Sequence, residues 1–118
     1  MIRILVSDKL SEEGLKILKQ EKDLSVDVKT DLKPEQLKEI IKDYDALVVR
    51  SGTKVTKDVI EAAKNLKVIG RAGAGLDNVD LEAATKKGII AMNSPAGNTI
   101  STAEHAMSLI LALSRNIA

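Results

Sequence analysis

At 118 residues, with 18 Lys and Arg against 17 Asp and Glu for a net charge of +1, the chain has room for one domain with a real core. It carries no bulk charge that would draw it to nucleic acid or to a membrane surface. The absence of Cys excludes disulfides, thiolate metal sites and a Cys nucleophile, and is compatible with a cytoplasmic location. Hydrophobic residues make up 44%, but with no Phe or Trp and one Tyr the core must come from Ile, Leu, Val and Ala, which favours alternating strands and helices.

In chain order, Ile2 to Val6 is a short apolar run, too short for a signal segment, and reads as a strand covered on both faces. Ser11 is placed to cap a helix with Glu12 and Glu13 in its first turn, ahead of Leu15, Ile17 and Leu18. A weaker strand is expected over Leu24 to Val28, and Pro34 suits the first helical position before Leu37, Ile40 and Ile41. Ala46 to Val49 reads as the next buried strand, stopping at Arg50-Ser51-Gly52. Thr56 can cap a helix carrying Val59, Ile60 and Ala63, and Leu66 to Ile69 is a fourth strand. Asp80 caps a short helix ending at Gly88, a natural residue for the position after a C-cap. Ile89 to Met92 is the fifth strand. No apolar run reaches transmembrane length.

Strand and helix alternate throughout, which predicts a flavodoxin-like, doubly wound parallel sheet in a three-layer sandwich spanning residues 1–99. Residues 100–118 differ. Ser101-Thr102-Ala103-Glu104 makes a capping box, and Ala103, Ala106, Met107, Ile110 and Leu113 form one stripe, with Leu109 and Leu111 on other faces. A long helix, apolar on several faces, is expected to bridge to a further domain and, left uncovered, to drive self-association, with exchange of that helix between copies as one form of it.

The segment Val68 to Asn78 is glycine-rich and follows a strand, as a dinucleotide-binding loop does. It departs from that fingerprint at Asn78, where a third Gly is needed, and at Asp77, whose carboxylate would meet the pyrophosphate. Exposed backbone N–H groups approaching a small anion, with Arg71 beside them, is the better reading. Ligands in open α/β sheets bind beyond the carboxyl ends of the strands, and three loops leave such ends: Arg50-Ser51-Gly52, Arg71 to Gly75, and Asn93 to Asn98. Taken singly, each loop fits a simple turn of the chain, with Arg50 and Arg71 as surface salt-bridge formers. Together they supply guanidinium forks, hydroxyls and backbone amides suited to a doubly anionic ligand. Asp8 follows the first strand, but a phosphoacceptor of the receiver type belongs at the end of the third, where Arg50 stands with the opposite charge. His105 and Glu104 are neighbours on a helix and do not face each other, so His105 reads as a packed or interface residue. No phosphate-binding Gly-Lys-Ser/Thr loop and no metal-ligand cluster is present in the sequence.

Val49 to Thr53, Gly70 to Asp80, Met92-Asn93-Ser94-Pro95 and Ala103-Glu104-His105-Ala106 together resemble the D-isomer-specific 2-hydroxyacid dehydrogenases, over essentially the whole chain. The resemblance implies a substrate-binding domain whose nucleotide-binding partner, of the Rossmann type, is inserted after it. It implies NAD as cofactor of the whole enzyme, none bound by this stretch alone, and a small phosphorylated 2-hydroxy acid as substrate. Within the family it leans to the branch that oxidises 3-phosphoglycerate at C2. By this resemblance the backbone of Ala72, Gly73, Ala74 and Gly75 would hold the substrate carboxylate, with Arg71 near it. Arg50, Ser51 and Gly52 would meet the phosphate end, assisted by Asn98. Ala74 and Thr102 would approach the cofactor. The family's catalytic Arg, Glu and His have no counterpart here, so no catalytic residue is assigned and the stretch is expected to be inactive alone. A stand-alone flavodoxin-like anion-binding or signalling module, or part of a sister 2-hydroxyacid dehydrogenase, are the alternatives.

Overall fold

The computed structural model describes residues 2–10, 12–71 and 75–93. Five strands, β1 (Ile2–Val6), β2 (Leu24–Val28), β3 (Ala46–Val49), β4 (Val68–Arg71) and β5 (Ile90–Asn93), alternate with four helices. The helices are α1 (Glu12–Gln20), α2 (Pro34–Ile41), α3 (Lys57–Ala62) and α4 (Leu81–Lys86). All strand pairs are parallel, in the order β2-β1-β3-β4-β5. The chain winds outward from β1 to β2, then crosses back to β3, so the winding reverses between β1 and β3. This is the expected doubly wound order.

Alternation within the strands builds two cores. Leu5, Leu47 and Ile69 sit in register and turn to the face covered by α2, α3 and α4, where they pack with Leu37, Ile41, Val59, Ile60 and Ala84. Their neighbours Ile4, Val6, Ala46, Val48 and Val68 turn to the other face and pack against Leu18 of α1. Burial on both faces explains why these strands read as continuous apolar runs.

The helix ends follow local chemistry. Thr56 accepts the amide of Val59 at the start of α3, and Asp80 accepts that of Ala83 at the start of α4. Pro34 opens α2, and the amide of Lys33 before it donates to Gln36 Oε1. The C-terminus of α4 closes with Gly88 at φ +72°, its amide on Thr85 O and that of Ile89 on Ala84 O. This double bond pattern is a Schellman closure, and it spends the amide of Ile89 on the helix. The fifth strand therefore starts at Ile90, one residue later than predicted, and runs to Asn93. The fourth begins at Val68 and extends through Arg71, so Arg71 is the last strand residue and not a loop residue. Lys87 caps a different helix: its ammonium donates to the carbonyls of Ile60 and Ala63 at the end of α3. The predicted cap Ser11 and the helix expected over residues 101–118 lie outside the described residues. Among the described residues no helix is long and apolar enough to cross a membrane.

The one tyrosine ties the far end of the sheet. Tyr44 is 2% exposed, its hydroxyl donates to Asp27 Oδ2 at 2.7 Å, and the Arg3 guanidinium lies 4.8 Å from its ring centroid. Burial, and then the hydrogen bond to Asp27, push its pKa from 10.0 up to about 12. A raised folded-state value means that this contribution is whole below pH 10 and is lost as pH climbs towards 12. The gap between the two values corresponds to roughly 3 kcal/mol at most. Urea unfolding at pH 9 and pH 11.5 should show a fall in stability that is largely absent in Tyr44→Phe; equal falls in both proteins would count against this role.

Candidate functional site

Because every strand runs the same way, the chain leaves β1, β3 and β4 at one edge, and the residues just past those strands meet there. Ser7 and Asp8 follow β1, Arg50 to Lys54 follow β3, and Gly75 to Asn78 follow β4. Asp8 organises the second of these segments. Its Oδ2 accepts the amides of Arg50 at 2.7 Å and Thr53 at 2.9 Å, and its Oδ1 accepts the Thr53 hydroxyl at 2.8 Å. Ser7, 2% exposed, places its hydroxyl 2.9 Å from that of Thr53. The Arg50 side chain reaches back to the carbonyl of Lys9 at 3.3 Å, and so stays over the end of β1.

Asn78 holds the same segment from its other side. Its Nδ2 donates to the carbonyls of Arg50 at 2.6 Å and Thr53 at 2.7 Å, spending both of its N–H bonds. A parallel bridge between Val55 and Val79 continues the join, with the amide of Val55 on Asn78 O and that of Asp80 on Val55 O. The position that breaks the dinucleotide fingerprint is thus occupied by a residue that welds two strand-end loops together.

Arg71 differs from its expected state. Register places it beside Val49 of β3 and Asn93 of β5, at the edge itself. Its side chain is only 11% exposed and its Nη1 pairs with Asp77 Oδ1, while the Asp77 side chain is 87% exposed. The hydrogen bond from Arg71 holds the Asp77 carboxyl below the usual carboxylate range. The sequence reading gave Arg71 an open fork in a loop; the structure gives it a strand position and a carboxylate partner. Gly75, at φ +81°, makes the turn between them, in a backbone region that side-chain-bearing residues rarely adopt.

A cleft of about 510 Å³ opens beside these groups, lined among others by Ser51, Lys54, Lys57, Arg71, Asp77 and Asn78. Its size suits a small metabolite. The cleft mixes the cations Lys54, Lys57 and Arg71 with the carboxylates Asp77 and Asp80 and the apolar Val55 and Val79, and among the described residues no group of His, Cys, Asp or Glu could hold a metal. A dinucleotide pyrophosphate does not fit the segment that first resembled its loop. The N-terminus of α4 is already capped by the Asp80 carboxylate, and Asn78 is committed to Arg50 and Thr53.

Of the predicted site residues, Arg50, Ser51, Gly52, Arg71 and Gly75 gather at this edge. Gly73, Ala74, Asn98 and Thr102 lie outside the described residues. Sequence reasoning passed over Ser7, Asp8, Thr53 and Asn78 as site builders. Asp8 and Thr53 are 45 residues apart, and no local spacing rule joins them.

Gly52 is fixed by the same carboxylate. A Cβ there would stand 2.8 Å from Asp8 Oδ1, an oxygen already held by Thr53. Gly52→Ala is expected to cost about 1–2 kcal/mol in denaturant unfolding, as overpacking against a pinned group does. Wild-type stability in that variant would show that the Asp8 contact yields freely.

Residues 4–115 match the family model described as D-isomer specific 2-hydroxyacid dehydrogenase, catalytic domain. The chain is 59% identical over 117 residues to D-3-phosphoglycerate dehydrogenase of Methanocaldococcus jannaschii, covering 99% of this chain and 22% of that protein. It is 51% identical over 115 residues to the D-3-phosphoglycerate dehydrogenase of Homo sapiens, covering 98% and 21%. Among solved structures, a Pyrococcus horikoshii protein superposes with TM-score 0.75 at 37% identity, over 80% of this chain and 28% of the other. An NAD+-bound 3-phosphoglycerate dehydrogenase of Entamoeba histolytica gives 0.70 at 34% identity, over 78% and 32%. The chain spans about a fifth of the length of the curated relatives it matches. Its parallel sheet, its strand-edge loops and these matches agree: the chain belongs to the D-isomer specific 2-hydroxyacid dehydrogenase family.

Proposed function

We propose that this chain forms the substrate-binding part of an NAD-dependent oxidoreductase that oxidises 3-phosphoglycerate at C2 to 3-phosphohydroxypyruvate, a step towards serine. The observation that carries the reading is the Arg50 to Thr53 segment, held at the strand edge from both sides and presenting Arg50 and Ser51 to solvent beside the cleft. A substrate with a phosphate at one end and a carboxylate at the other needs two anion sites separated by the reacting carbon. Arg50, Ser51 and Gly52 are assigned to the phosphate, and the glycine segment through Gly75, with Gly73 and Ala74, to the carboxylate. Arg71 supports that second site through Asp77 and its position at the edge. Asn98 assists at the phosphate end.

Oxidation at C2 sends a hydride to the nicotinamide of NAD and the hydroxyl proton to a base. This chain's part is binding and orientation: it fixes both ends of the substrate and so aims C2. None of its residues is assigned to the proton transfer. Ala74 and Thr102 are assigned to the side that approaches the cofactor, whose pyrophosphate is held elsewhere. Self-association through residues 101–118, with helix exchange as one form, and a cytoplasmic setting belong to the same reading.

Titration of the chain with 3-phosphoglycerate, D-lactate and NAD, followed by backbone amide shifts, tests it. Binding of 3-phosphoglycerate in the millimolar range is expected, with the largest shifts at Ser51, Gly52 and Gly75, a weaker response to D-lactate confined to the glycine segment, and none to NAD. Tight NAD binding, or a silent Ser51 and Gly52, would contradict it.

A further inference from the structure

Asp8 lies outside the set of residues assigned to substrate, yet it decides the shape of the segment that contains three of them. We propose that Asp8 is a positioning residue for the phosphate end of the substrate, acting through the Arg50 to Thr53 backbone; the inference rests on the function proposed above. Its carboxylate takes the first and last amides of the segment, Arg50 and Thr53, and the Thr53 hydroxyl. Asn78 takes the carbonyls of the same two residues. Between these pinned ends, Ser51 and Gly52 are exposed, and their amides donate to no described residue. Two consecutive backbone N–H groups on a segment fixed at both ends are donors available to an oxyanion, and Arg50 precedes them in the chain.

The carboxylate that builds this anion site is itself negative. It serves because three donors already engage it, and because its charge is screened at an edge open to water. The two roles predict opposite signs. If Asp8 mattered only as a charge, its removal would strengthen anion binding. If it positions the segment, its removal weakens binding, because Ser51 and Gly52 are no longer held ready.

The test compares wild type, Asp8→Ala and Asp8→Asn by amide-shift titration with 3-phosphoglycerate and with inorganic phosphate. Asp8→Ala is expected to raise both dissociation constants about fivefold or more, as loss of preorganisation by charge-assisted hydrogen bonds does. Asp8→Asn keeps an oxygen for the two amides and an N–H for the Thr53 hydroxyl, and should fall between the two. Amides of β3 and β4 should stay at their wild-type shifts. Should Asp8→Ala fail to fold, Thr53→Val removes the hydroxyl that donates to Asp8 and touches Ser7 while keeping both amides on the carboxylate, and is expected to weaken binding of both anions about twofold. Wild-type or tighter affinity in Asp8→Ala, or wild-type affinity in Thr53→Val, overturns the inference while leaving the proposed function standing. Failure of the wild type to bind either anion removes the function and this inference with it.

Discussion

A parallel sheet can be built only if every strand is returned to the same starting side, and it therefore delivers all its carboxyl ends to one edge. In this chain that constraint brings Asp8, Arg50 to Thr53 and Gly75 to Asn78 together, although they are separated by tens of residues. The reversal of winding between β1 and β3 opens the edge at the point where Asp8 and Arg50 meet. The hydrophobic packing on both faces fixes the strand register, and the register fixes which side chains reach the edge. The site is thus a consequence of the sheet, and its polar groups refine a placement that the aliphatic core has already made.

At that edge, anionic side chains hold the loops that carry the groups assigned to the ligand. Asp8 accepts two amides and a hydroxyl, Asp77 pairs with Arg71, and Asp80 accepts an amide at the start of α4. A carboxylate spent in this way repels an incoming anion less than an unpaired one would, while the groups it fixes in place lose little freedom when the anion arrives. The same commitments explain why the glycine segment is not a dinucleotide loop. Its helix end is closed by its own acid, and the position that calls for glycine bears an amide that bridges two loops.

Much of the fold was legible because it rests on local rules. Continuous apolar runs marked the strands, and Thr56, Asp80, Pro34 and Gly88 marked helix ends where the structure has them. The misplacements were small and have causes: a Schellman closure claimed the amide of Ile89, and pairing with β3 and β5 carried β4 through Arg71. The candidate site was legible only in part. Arg50, Ser51, Gly52 and Gly75 follow from the strand-end rule and the glycine pattern. The partner of Arg71 and the part played by Asp8 depend on where side chains meet after folding. Asp8 was weighed only as a phosphoacceptor, which left its structural task unread. Asn78 was noticed only as a missing glycine, since its two carbonyl partners lie 28 and 25 residues away.

Residues 50–53 are held in shape by Asp8 and Asn78 before any ligand arrives. Amide hydrogen exchange of the ligand-free chain at neutral pH measures this directly. Arg50 and Thr53, bonded to Asp8, should exchange many times more slowly than Ser51 and Gly52 between them. If all four amides exchange alike, at the rate of an unstructured loop, the segment is not preorganised and the account of this site is wrong.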